Sequence, residues 1–125
     1  MGFAFWKAAA AAAFLALAGG LVAPQQASAQ FSDNKIKIGV LDDFSGQYCV
    51  DDCMNPVRAV KLAIEDFGGK IGDASLEVIY ADHQNKPDVG AAIANKWYDI
   101  EQVDVIVDVV NSAVAFAVQE IARNK

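Results

Sequence analysis

Apolar and polar positions alternate, and then stop alternating, in a regular rhythm along most of this chain. "NKIKIGVLDD" (34–43) begins by alternating, turns continuously apolar and ends in acids, which predicts a strand over roughly residues 36–41. In "NPVRAVKLAIEDFGGK", Val57, Val60, Leu62, Ala63, Ile64 and Phe67 form a helical apolar stripe. Asn55 suits the N-cap there, Pro56 the first helical position, and Gly68-Gly69 the stop. "ASLEVIYAD" (74–82) predicts a second strand with Leu76, Val78 and Tyr80 on one face. A second helix opens at Pro87 and repeats apolar positions at Val89, Ala92, Ile93 and Trp97. "VDVIVDVV" (103–110) is nearly continuous and β-branched, as in a strand covered on both faces. Asn111-Ser112 then cap a third helix that runs to the end.

The predicted order is βαβαβα with short connections. That alternation implies an α/β fold, a parallel sheet with helices on both faces and strand order 2-1-3. Three such units leave a parallel sheet with unprotected edges, a hazard for aggregation. The expectation is therefore that the chain is the front part of a longer protein.

The first 29 residues differ in kind. Lys7 is the only charge before Asp33, and fifteen apolar or small residues follow it before the Ala27-Ser28-Ala29 pattern. A positive start, a short apolar middle and a small-x-small end predict a secretory signal peptide over 1–29, cleaved after Ala29. The apolar run is short of the roughly 20 residues that a membrane crossing needs. The chain holds 10 basic and 16 acidic groups. Removing Lys7 leaves 9 against 16, a net of −7 for residues 30–125. Such a balance argues against nucleic acid and anionic membrane surfaces as partners.

Ligands of open α/β sheets bind beyond the carboxyl ends of the strands, where successive connections diverge. Here that means the loops 42–55 and 108–112. The second opens into a helix, whose free N–H groups and partial positive charge suit a carboxylate, with side chains of Asn111 and Ser112 adding hydrogen bonds. Asn111 as a plain N-cap is compatible with that role.

Other chemistries fit less well. Asp42, Asp43 and Asp108 mimic the acidic Mg²⁺ pocket of a phospho-receiver, but a receiver needs a cytoplasmic phosphodonor and this chain is read as exported. No G-x-G-x-x-G follows the first strand, so no nicotinamide cofactor is expected, and no other cofactor is called for. His83 is the sole histidine and cannot furnish a zinc set without the cysteines, which lie on another connection. It reads as a loop residue, and no metal is expected. No nucleophile elbow or acid/base set supports an enzyme. Cys49 and Cys53, the only cysteines, are separated by three residues rather than the two of a thioredoxin-type motif. In an oxidising compartment a disulfide is the leading reading. Free thiols, or metal or redox chemistry, are the alternatives.

Taken in order, "IKIGVLDDFSGQY", "AVKLAIEDFGG", "VIYADHQNKPDVGAAIANKWYD" and "VDVIVDVVNSAVAFAVQEIAR" resemble the start of a periplasmic substrate-binding protein of ABC importers. The likeness is to the branched-chain amino-acid (Leu/Ile/Val) binding type with a type I two-lobed fold, and it covers residues 35–125. It implies a bilobal protein that closes over a small solute, with residues 30–125 as the first half of lobe one, delivering amino acids or related small carboxylates to a membrane permease. It also implies that Asn111, Ser112 and Ala113 hold the solute's carboxylate, with Ser45, Gly46 and Tyr48 as further contacts. A sensor domain of a receptor with the same fold is the second reading. Relatives usually carry small and glycine residues where this chain has "CVDDCMNP", so the cysteine pair is a local feature.

Overall fold

The computed structural model describes residues 33–125. The expected signal peptide over 1–29 and its expected cleavage after Ala29 lie outside the described residues. Strand β1 is Lys35–Asp42, helix α1 Asn55–Phe67, strand β2 Lys70–Ile71, strand β3 Ala74–Asp82, helix α2 Pro87–Lys96, strand β4 Val105–Val107 and helix α3 Ser112–Ala122. A π-helical turn, Trp97–Glu101, follows α2 directly. The sheet order is β2-β3-β1-β4, with β1 parallel to both β3 and β4. The three predicted strands thus lie in the expected order, first strand central. The addition is β2, a two-residue strand antiparallel to β3, which the turn around Gly72 (φ +60°) folds back on the sheet edge.

The pleat sorts the side chains onto two faces. Ile36, Ile38 and Val40 stand in register with Leu76, Val78 and Tyr80 on β3, and Ile38 and Val40 also with Val105 and Val107 on β4. This face meets α1, although only Val57 of that helix is buried. Between α1 and the sheet runs an apolar groove of about 520 Å³ that includes Ile36, Ile38, Ile64 and Phe67. The opposite face carries the main core. Leu41, Ala94, Trp97, Val103, Val114 and Val118 are buried together there, with Ile79, Ala81 and Ile106 packed against them. Helices therefore cover both faces, α1 on one and α2 with α3 on the other.

Two glycines set how closely those layers approach. A Cβ on Gly39 would fall 2.6 Å from Trp97 Cε3, so the indole lies directly on the β1 backbone. A Cβ on Gly90 would fall 2.5 Å from Val114 Cγ1, which brings α2 against α3.

Three local expectations are corrected. Asn55 is the first helical residue of α1 rather than its cap; Met54 holds the cap position with no side-chain bond, and Asn55 Oδ1 instead accepts from Arg58 at 3.2 Å. The third strand is limited to Val105–Val107, because Val103 N–H turns back to the Trp97 carbonyl and Asp108 adopts a left-handed φ of +60°. Val105 at the sheet edge is also 42% exposed, so this strand is not covered on both sides. The α1 stop is as expected: Gly68 (φ +101°) and Gly69 (φ +75°) return their N–H groups to the Glu65 and Ile64 carbonyls. Among the described residues no helix is long and apolar enough to cross a membrane.

Candidate functional site

The carboxyl ends of β1, β3 and β4 lie side by side, and the three loops that leave them are held by side chains from those same ends. Asp43 is 2% exposed. Its carboxylate accepts the N–H of Gly46 at 2.7 Å and of Tyr48 at 3.1 Å, so it folds the Ser-Gly turn around itself. A Cβ on Gly46 would sit 2.5 Å from Asp43 Oδ1, which leaves glycine as the residue that fits. Asp82, at the end of β3, accepts the Phe44 N–H at 3.1 Å, the Gln84 N–H at 2.7 Å and the Ser45 hydroxyl at 2.5 Å. Burial raises this carboxyl, but the three hydrogen bonds together outweigh it and hold Asp82 below the ordinary aspartate value of 3.8. Asp42 is the opposite case. Burial first, then the nearby Asp108 and Asp43 charges, raise it above 3.8 against the pull of the Asp43 N–H and His83.

The third loop is organised by asparagines. Asn111 Oδ1 accepts the N–H groups of Ala113 at 2.7 Å and Val114 at 3.1 Å, the arrangement of an N-cap. Its Nδ2 donates to Asn85 Oδ1 in the β3–α2 turn. The Asn85 N–H donates in turn to Nδ1 of the fully buried His83 at 3.0 Å, and His83 Nε2 is buried with no hydrogen-bond partner among the described residues. His83 thus anchors the β3–α2 turn through its Nδ1. Among the described residues no set of His, Cys, Asp and Glu could hold a metal ion.

A cavity of about 230 Å³ opens between the first and third loops, walled by Tyr48, Cys49, Cys53, Asp42, Asp108 and Val110 among others. Cys49 and Cys53 face each other with Cα atoms 4.9 Å apart, a spacing that a disulfide spans. Of the residues singled out in the sequence, Tyr48, Cys49 and Cys53 therefore line this cavity together with Asp42, Asp43 and Asp108. Ser45 and Gly46 do not line this cavity; they are exposed, in the turn held by Asp43 and Asp82. Ser112 lines a neighbouring groove of about 450 Å³ with Tyr98, Ile106 and Phe116, and Asn111 and Ala113 line neither space. Ser112 is exposed, and its hydroxyl and N–H have no hydrogen-bond partner among the described residues.

This geometry, loops converging at the switch point of a 2-1-3 sheet, meets the comparisons with known proteins at one point. A family model described as periplasmic binding protein matches residues 35–125. The chain belongs to that family. Among solved structures, a periplasmic binding protein from Burkholderia mallei shares 41% identity with a TM-score of 0.69, over 73% of this chain and 24% of the other. A branched-chain amino-acid ABC transporter periplasmic ligand-binding protein from Burkholderia xenovorans also shares 41%, with a TM-score of 0.68, over 72% and 24%. An ABC transporter solute-binding protein from Rhodopseudomonas palustris, solved with benzoate, shares 30% with a TM-score of 0.63, over 72% and 25%. The chain thus spans about a quarter of the length of these periplasmic binding proteins. No curated protein matches it. The fold is that of a type I periplasmic binding protein.

Sequence reasoning missed Asp82 and Asn85. Asp82 had a signal in its position two residues before the Gln84 turn, since a short acid bonds local backbone readily. Asn85 had none, because its partner lies 26 residues away.

Proposed function

We propose that this chain is the solute-binding start of an exported protein that captures an amino acid or related small carboxylate for an ABC importer. On this reading residues 1–29 are the signal peptide, the mature protein works in the periplasm, and residues 30–125 form part of its N-terminal lobe. Its task is binding and handing over to a membrane permease rather than catalysis. The names of the relatives support the solute class, with branched-chain amino acids in one case and benzoate in another.

The observation that carries the reading is Ser112. Asn111 satisfies the Ala113 and Val114 N–H groups and leaves the hydroxyl and N–H of Ser112 unspent at the start of α3. Two adjacent donors at the positive end of a helix suit the two oxygens of one carboxylate. Asn111 and Ala113 then act as the frame of that contact. Tyr48 supplies a ring to the cavity wall, Ser45 and Gly46 shape the turn that presents it, and a Cys49–Cys53 disulfide closes the rim.

The test is calorimetric titration of the full-length protein and its Ser112→Ala variant with L-leucine, benzoate and 4-hydroxybenzoate. Loss of one charge-assisted hydrogen bond predicts about a tenfold or greater weakening for the solute that binds. Unchanged affinity would place the carboxylate elsewhere.

A further inference from the structure

We infer that Asn85 is a positioning residue for the solute site: it fixes which way the Asn111 amide points, and so keeps the N-terminus of α3 ready for a carboxylate. The inference rests on the proposed role of Ser112 and goes beyond it to a residue in a different loop.

A side-chain amide has an acceptor end and a donor end, and it can serve a helix N-terminus only with its oxygen inward. Asn111 does so, with Oδ1 on the N–H groups of Ala113 and Val114. Its Nδ2 then necessarily faces outward, where Asn85 Oδ1 receives it. Were the Asn111 amide reversed, Nδ2 would face two N–H donors, and the Asn85 oxygen would face another oxygen. The Ala113 and Val114 N–H groups therefore oppose the wrong orientation on the helix side, and Asn85 opposes it on the outer side. In the wrong orientation the Ala113 and Val114 donors would be released and the first turn of α3 loosened, so the Ser112 pair would lose its fixed aim.

Asn85 is itself held in place. It sits at φ +56°, a left-handed conformation that asparagine tolerates better than most residues. Its own N–H is anchored on His83 Nδ1, and His83 is fully buried with its N–H on the Asp42 carbonyl at 2.9 Å. The chain of bonds Asp42–His83–Asn85–Asn111 thus runs from β1 to the α3 N-terminus. A group that orients a ligand-binding residue through a second hydrogen bond commonly changes affinity without touching the ligand.

The experiment is a double-mutant cycle on the full-length protein, read as affinity for whichever of L-leucine, benzoate and 4-hydroxybenzoate binds tightest. Asn85→Gly tolerates the left-handed backbone and removes the side-chain amide that receives Asn111 Nδ2. Asn111→Ser replaces the amide with a hydroxyl cap that has no orientation to fix. Asn85→Gly in the wild-type background should weaken binding about tenfold. In the Asn111→Ser background the same change should leave affinity within about twofold. Equal losses in both backgrounds, or no loss in the first, would overturn the positioning role. A run with Ser112→Ala separates that failure from failure of the site. If Ser112→Ala weakens binding and Asn85→Gly does not, only the positioning role is wrong. Should neither weaken binding, or no solute bind, the proposed site falls and this inference with it.

Discussion

The Ser45 hydroxyl donates to Asp82 Oδ2 at 2.5 Å, tying the turn after β1 to the end of β3 across 37 residues of sequence. Asp82 Oδ1 takes the Phe44 and Gln84 N–H groups as well, so one carboxylate holds two of the three loops at the cleft. Burial works against its charge, yet these bonds win and its folded pKa lies below 3.8. A depressed acid contributes stability above its unfolded value, and that contribution is lost as pH falls through the folded value. Asp82→Asn should therefore unfold more easily near neutral pH and show a flatter fall in stability below about pH 4. Urea unfolding across that range checks it; parallel profiles for the two proteins would contradict it.

Asp42 should give the opposite slope. It is 5% exposed, and burial, aided by Asp108 and Asp43, raises its folded pKa above 3.8. The folded state thus favours the protonated acid, and its advantage is present below the unfolded value and lost as pH rises through the folded one. Asn at this position keeps an oxygen for the Asp43 N–H, which Asp42 Oδ1 accepts at 2.7 Å. Asp42→Asn is expected to raise the unfolding midpoint near neutral pH and leave it unchanged in acid. A variant destabilised at neutral pH would refute this.

Gly39 faces Trp97, which is 4% exposed and has no room to retreat. Gly39→Ala should therefore cost about 1–3 kcal/mol through overpacking, since the neighbour is a rigid ring rather than a flexible chain end. A second change, Trp97→Leu, removes the clash. The double variant should lose less than the two single losses added together. Additive losses by chemical unfolding would show that the close approach of ring and strand is not what Gly39 provides.

The alternation of strands and helices was legible because the core faces of β1 and β3 repeat with period two, and a parallel order follows from helical connections between them. The Asn111 cap was legible for the same local reason, its oxygen reaching only two and three residues ahead. What was hidden is of two kinds. Lys70–Ile71 is too short for any period, and the π-helical turn at Trp97–Glu101 differs from α-helix only in hydrogen bonds that reach one residue further. The other kind is polar pairing over distance. Sequence shows that Ser45, Asp82, Asn85 and Asn111 can bond, but not with whom. Only the pairing of both β3 and β4 with β1 brings those partners within reach.

The loop between Cys49 and Cys53 tests whether a local brace contributes to solute binding. Both residues wall the 230 Å³ cavity, and Asp51 between them holds a left-handed φ of +61°. Left-handed backbone at a non-glycine residue costs about 1–2 kcal/mol and needs outside support. Closing so short a loop contributes about 2 kcal/mol in the chain-entropy model, and that is also the most pre-organisation it can lend to a ligand. Cys49→Ala/Cys53→Ala in the full-length protein should thus lower stability by no more than about 2 kcal/mol. Solute affinity should fall by no more than about 30-fold, because an unbraced rim must be ordered on binding. Alkylation of the unreduced wild-type protein, followed by mass spectrometry, should label neither cysteine. Two labelled thiols would remove the brace; an unlabelled pair whose loss leaves affinity unchanged would make it a rim feature with no part in the site.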